Sequence, residues 1–190
     1  MAATLRTLLA LCLWISLQGS AAEVVVQATR DDDVLLIEAT AEFEGTIAQA
    51  WEVLTDYERL PEFIPNLRLS RVIERGRGAV TVEQKGEARL LIFSYPIEVR
   101  LAINEFPPVK LVSRAVAGNF REMSGVYTLG GQEGRVRLRY SGRMTPDFFV
   151  PPVVGTWILR HHVHETFAAL VDEIVRRQRV ASPAGVSGKQ

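Results

Sequence analysis

Between Asn66 and Met144 the chain offers six strand-length runs in succession, separated by nothing longer than a turn, and a single long helix follows them. This order constrains the fold more than any single motif. The runs cover residues 66–75, 79–90, 93–106, 110–117, 120–129 and 135–144. Between them lie Gly76-Arg77-Gly78, Pro107-Pro108, Gly118-Asn119 and Gly130-Gly131-Gln132-Glu133-Gly134. Proline fixes φ and gives no backbone donor, so Pro107-Pro108 forces a turn. Sequential strands joined by tight turns pair antiparallel. Alternation assigns their faces: Phe93, Tyr95, Ile97, Val99, Leu101 and Ile103 share one side, and Val80 and Val82 share a side with Gln84, Gly86 and Ala88.

Upstream, residues 24–29 and 34–43 read as two more strands around the polar turn Arg30-Asp31-Asp32-Asp33. The period then changes. Ile47, Ala50, Trp51 and Leu54 fall at i, i+3, i+4 and i+7, the stripe of a short helix that Thr46 is placed to cap. A second short helix is predicted over 57–63. The last helix runs from about Pro152, well placed in a first turn, to Arg179, with Arg176, Arg177 and Arg179 complementing its dipole. An antiparallel sheet with one apolar face needs a cover, and one long helix is available. The expected class is therefore α+β in the helix-grip layout, a curved antiparallel sheet around a long C-terminal helix. It forms one domain over residues 23–180 and encloses an apolar space.

The ends are different. Arg6, the 11-residue apolar run 7–17 and the small residues Ser20-Ala21-Ala22 follow the pattern of a cleaved export signal over residues 1–22. A spanning helix needs about 20 apolar residues. Leu11 is bulky and Cys12 lies inside the run, which argues against a lipid anchor. Cleavage removes the only cysteine, so the mature chain has neither a disulfide nor a thiolate nucleophile. Export points to the periplasm. Residues 181–190 are small and polar and read as a disordered tail. The whole chain balances 22 basic against 22 acidic residues, which provides no electrostatic footprint for nucleic acid.

One stretch is specific enough to suggest a family. A-W-E-V-L-T-D-Y-E-R-L-P-E-F-I-P, residues 50–65, runs into N-L-R-L-S-R-V; G-N-F-R-E-M-S-G-V-Y-T-L spans 118–129, and the proline-led helix ends in A-A-L-V-D-E-I-V. Over about residues 34–177 the chain resembles the polyketide cyclase/dehydrase branch of the START-like (SRPBCC) superfamily, which also holds the coenzyme Q-binding proteins. The resemblance implies the helix-grip fold and a hydrophobic ligand. Many members bind such molecules without catalysis, so it implies fold more strongly than reaction.

All three histidines sit in L-R-H-H-V-H-E, residues 159–165. A straight helix does not converge three such histidines on one metal, and catalytic zinc needs three protein ligands; no metal or other cofactor is expected. On a helical wheel, Val163, Phe167, Leu170, Val171 and Ile174 define the apolar stripe. Arg160 and His164 fall beside it on the track of Val153 and Trp157, His162 points away, and His161 pairs with Glu165 at the surface. Arginine stays charged, so an inward Arg160 calls for a carboxylate, water or ligand oxygen; snorkelling to the rim is the alternative. The cavity candidates are thus Trp157, Arg160 and His164 from the helix, with Tyr95, Met123, Tyr127 and Tyr140 from the strands. Aromatic core packing is the competing use of the tyrosines. Gly125 and Gly142, on the inward faces, either leave room for a ligand or ease sheet curvature.

No nucleophile elbow, phosphate loop or dinucleotide fingerprint occurs. The stripe Arg135, Arg137, Arg139 and Arg143 is a candidate for transient contact with anionic lipid at a membrane surface, with a solvated face as the alternative. Phe148-Phe149-Val150 between prolines reads as a lid, a membrane-docking tip or a hydrophobic staple beside the helix start. The function expected is that of an exported binding or transfer protein for a lipid, quinone or polyketide-like molecule. The alternatives are a cyclase/dehydratase acting on a hydrophobic carbonyl compound and a ligand-free partner-binding accessory module. Sequence leaves the oligomeric state open.

Overall fold

The structure, a computed structural model, describes residues 22–90, 93–132 and 134–181. The segment expected to direct export, except for Ala22, and tail residues 182–190 lie outside the described residues. Strands β1 (Glu23–Asp31) and β2 (Val34–Glu44) precede helix α1 (Ile47–Leu54) and a 3₁₀ helix (Tyr57–Glu62). Strands β3 (Leu67–Arg75), β4 (Ala79–Leu90), β5 (Phe93–Phe106), β6 (Lys110–Gly118), β7 (Phe120–Gln132) and β8 (Arg135–Pro146) follow, then helix α2 (Pro152–Ala181). The strands form one antiparallel sheet in the order β1-β2-β8-β7-β6-β5-β4-β3. This is the helix-grip arrangement.

Local chemistry sets the element ends. The Gln49 backbone N–H donates to Thr46 Oγ1 at 3.2 Å, so the predicted cap starts α1. β7 continues through the glycines expected to turn. Gly131, at φ 141°, pairs with Val136, and a side chain there would strike the Arg135 backbone. The hairpin is therefore tighter than the predicted five-residue turn. Register shifts in the β3–β4, β5–β6 and β7–β8 pairs mark bulges that bend the sheet.

The concave face and α2 share the core. Ile37, Val82, Leu138, Phe167, Val171 and Ile174 are almost completely buried. Each such side chain is worth about 1.5–3 kcal/mol of burial. The stripe Phe167, Leu170, Val171 and Ile174 predicted for α2 is thus borne out, and Val163 packs against the same core. Near the end of α2, Glu173 is buried and accepts from Arg176 Nε at 2.6 Å and Arg177 Nε at 2.7 Å. Those bonds, the Arg176 one foremost, hold its carboxyl well below the usual carboxylate range, at about 2. Arg177 also reaches Asp56 at 2.8 Å, which fixes α2 to the loop before the 3₁₀ helix.

Candidate functional site

Between the concave face and α2 lie two adjoining chambers that share Ile64, Leu67 and Thr166 in their walls. The inner one, about 200 Å³, is enclosed by Leu60, Leu101, Ile103, Leu111, Leu170 and other apolar groups. The outer one, about 300 Å³, opens between Ala88, Ile97, Phe120, Ile158 and Leu159. Together they reach the size of small-molecule pockets, and their walls are mainly apolar.

β4 supplies one wall as its alternation predicts. Val80 and Val82 are buried, Gln84 borders the inner chamber, and Gly86 and Ala88 border the outer. Gly86 is required by close approach: a Cβ there would collide with the carbonyl oxygen of Asn66, which sits in the left-handed region at φ 61°. That contact brings the end of the 3₁₀ segment over the sheet and closes one side of the cavity.

A few polar groups interrupt the apolar walls. Tyr57 Oη donates to Glu105 Oε1 at 2.9 Å, Gln84 Nε2 to Ser70 Oγ at 3.3 Å, and Ser113 Oγ to the Gly125 carbonyl at 3.1 Å. None of these bonds involves Tyr127 or Thr166, whose side chains border the inner chamber without a hydrogen-bond partner among the described residues. Tyr127 lies against Tyr140 at 4.6 Å and Phe167 at 6.2 Å between ring centroids. Burial pushes its hydroxyl pKa well up, so it remains a donor. Burial also raises Tyr140, to about 12, with the charge of Glu38 adding to it.

Tyr140 explains the two inward glycines. Gly125 and Gly142 face each other across β7 and β8, and the Tyr140 ring lies flat over both. The space they leave holds a side chain of the protein, not a ligand. Tyr140 is therefore floor beneath the chambers, and Met123 packs beside the core. Tyr95 belongs to the mouth. It stacks on Phe148 with centroids 5.2 Å apart, while Phe120 meets the same ring edge-on at 6.1 Å. Arg30 Nη1 donates to the Val150 carbonyl at 2.8 Å, latching the loop 147–151 to the β1–β2 hairpin. Phe148 is drawn in, and Phe149, its neighbour, is 70% exposed.

On α2 the helical wheel is corrected. His162, predicted to point away, is half-buried and borders the outer chamber together with Ile158 and Thr166, on one track spaced i, i+4, i+8. Burial holds its imidazole below the ordinary value; Glu165 opposes that effect, and His161 and Arg89 add to it. Trp157, Arg160 and His164, predicted inside, instead flank a separate groove beside Val24, Val25 and Val26. The predicted His161–Glu165 pair is present at 3.4 Å, with His161 stacked on Trp157. The wheel failed because its phase was set on the C-terminal half of a 30-residue helix. The N-terminal half lies over the cavity, where polar His162 and Thr166 carry no apolar signal. The arginine stripe of β8 is on the outer face, partly neutralised by Arg137–Glu42 and Arg143–Glu122 pairs.

A curved sheet gripping a long helix, with a two-chamber apolar cavity between them, defines a START-like helix-grip protein. Residues 44–171 match the family described as polyketide cyclase / dehydrase and lipid transport, and the chain belongs to that family. Solved structures agree on the fold. The Zhui aromatase/cyclase from Streptomyces sp. R1128 superposes with a TM-score of 0.67 at 17% identity, covering 80% of this chain and 99% of that one. A START superfamily protein from Mycobacterium smegmatis gives 0.63 at 13% identity, covering 75% and 98%. A STAR-related lipid transfer protein from Xanthomonas axonopodis gives 0.59 at 12% identity, covering 79% and 98%. No curated protein matches the sequence.

Proposed function

We propose that this protein takes up a hydrophobic small molecule, a lipid, quinone or polyketide-like compound, into the paired chambers and carries it within the cell envelope. The observation that carries this reading is the continuous apolar wall of the chambers behind a mouth clasped by Phe148. Leaving water drives the ligand in. Tyr127, Thr166 and, at the mouth, His162 provide the polar contacts that orient it. Neighbours described as a lipid transfer protein and an aromatase/cyclase support a ligand of this type. The basic, apolar and small-residue pattern over residues 1–22 supports export, and the exposed Phe149 beside the mouth supports brief contact with a membrane surface during loading.

The test is native mass spectrometry of protein isolated from its own cell envelope. The expected result is a chain starting at Glu23 with an apolar adduct, which is lost when Ala88→Phe fills the outer chamber. An empty wild-type cavity sinks the carrier reading and favours the ligand-free accessory role. A full-length chain sinks export alone. One observation favours turnover as a second reading. Tyr127, in the wall of the inner chamber, has a protonated hydroxyl without a hydrogen-bond partner among the described residues, suited to polarising a carbonyl oxygen. Chemical conversion of a bound ketone that disappears in Tyr127→Phe would establish it.

A further inference from the structure

The groove that receives Trp157, Arg160 and His164 is separate from the ligand cavity. It measures about 370 Å³ and runs between α2 and the free edge of the sheet. On one side, β1 pairs with β2 through all nine of its residues; on the other, no strand pairs with it among the described residues. An unpaired edge presents a row of backbone donors and acceptors, and natural edges are usually blunted by lysine, proline or a bulge. The stretch Val24-Val25-Val26 carries none of these. β1 also precedes residues 44–171, so family membership assigns it no role.

Two features select an occupant. The first is charge. His161 is matched by Glu165, whereas Arg160 and His164 have no carboxylate partner among the described residues, and both are exposed beside the groove. The second is apolar exposure on the same edge: Trp157 is 56% and Val25 49% exposed. The groove walls themselves hold basic side chains and no carboxylate, so charge favours a partner that brings carboxylates. We propose that this edge is a docking site for an extended acidic segment of another protein, which adds a strand to β1. The pleat fixes its pattern. Val24 and Val26 face α2 and Val25 faces away. Carboxylates at the helix-side positions therefore meet Arg160 and His164, and apolar side chains at the alternate positions lie beside Val25.

The probe is a fluorescein-labelled, N-acetylated heptapeptide alternating glutamate and valine; its control alternates lysine and valine. Binding is read by anisotropy, and the docking site by hydrogen exchange at the β1 amides. The acidic probe is expected to bind at least about tenfold more tightly than the basic one, or about 1.4 kcal/mol, and to slow exchange along β1. In the double variant Arg160→Glu, His164→Glu, whose sites are exposed and whose fold is checked by its thermal transition, the preference reverses. The proposal is overturned if the acidic probe fails to bind below about 1 mM, if its preference survives the charge reversal, or if β1 exchange is unchanged. Two further results also overturn it by naming another occupant: a concentration-dependent dimer lost in Trp157→Ala, and binding to phosphatidylglycerol vesicles lost on the same charge reversal.

Discussion

Gly125→Ala tests whether Tyr140 forms the floor of the cavity. In an extended strand, exchanging glycine for alanine normally stabilises by about 0.5–1 kcal/mol, because the unfolded chain loses freedom. Gly125 has no positive φ, so backbone strain plays no part. The geometry predicts the opposite sign. A Cβ on Gly125 would lie 2.5 Å from Tyr140 Cε2 and 2.6 Å from its hydroxyl oxygen. The ring cannot retreat easily, since Tyr127 packs against it at a tilt with centroids 4.6 Å apart and Phe167 stands at 6.3 Å. Overpacking of this kind costs about 1–3 kcal/mol, which outweighs that gain and leaves Gly125→Ala destabilised by up to about 2.5 kcal/mol. In a Tyr140→Leu background the side chain no longer reaches Gly125, and the same substitution should be neutral or slightly stabilising. Urea unfolding of the four proteins gives the coupling energy, expected at about 2 kcal/mol. Equal destabilisation in both backgrounds would refute the reasoning. So would a stabilised Gly125→Ala single variant.

Two other outcomes follow from named contacts. Glu173 has its folded pKa lowered from 4.5 to about 2. Its contribution is therefore present above the unfolded value and is lost as pH falls from about 5 toward 2, amounting to about 2–3 kcal/mol at neutral pH. The stability gap between wild type and Glu173→Gln, measured by denaturation across that range, should close at the acid end; a constant gap would count against it. Tyr57→Phe removes a hydrogen bond to a carboxylate from a side chain only 4% exposed. A loss of about 1.5 kcal/mol is expected in urea, and less than 0.5 would mean that Arg75, 3.8 Å from Glu105, already satisfies the carboxylate.

The fold was legible because strand alternation and turn chemistry are local. β4 and β5 have the bounds that their patterns predict, and the inward track from Val80 to Ala88 was read correctly. The cavity was legible on its sheet side for the same reason. Its helix side was not. A cavity-facing position needs no apolar residue, so His162 and Thr166 resemble solvent positions in a sequence, and one wheel for all of α2 carried the phase of Phe167 and Ile174 too far toward the N-terminus. Tyr140 was seen as inward, but whether an inward tyrosine stands up into a cavity or lies flat depends on the glycine opposite Gly142. That is a cross-strand pairing, visible only once the register is known. At the mouth, sequence singles out Phe148 as a lid or docking residue but not its partners Tyr95 and Phe120, because the three meet only when separate chain segments are assembled.

The strand order also has a consequence for synthesis. β2 pairs with β8 from Leu35 to Glu44, so that Ala39 lies opposite Tyr140. From β3 onward, neighbours in the sheet are neighbours in the chain, and their pairing can proceed hairpin by hairpin. The β1–β2 hairpin is synthesised before the rest of the sheet but must wait for β8 before its second edge is covered. Closing a loop of that length is slow, although its entropic cost grows only logarithmically. During this interval its apolar strands remain open to incorrect pairing, which makes this hairpin the part of the sheet most in need of a chaperone.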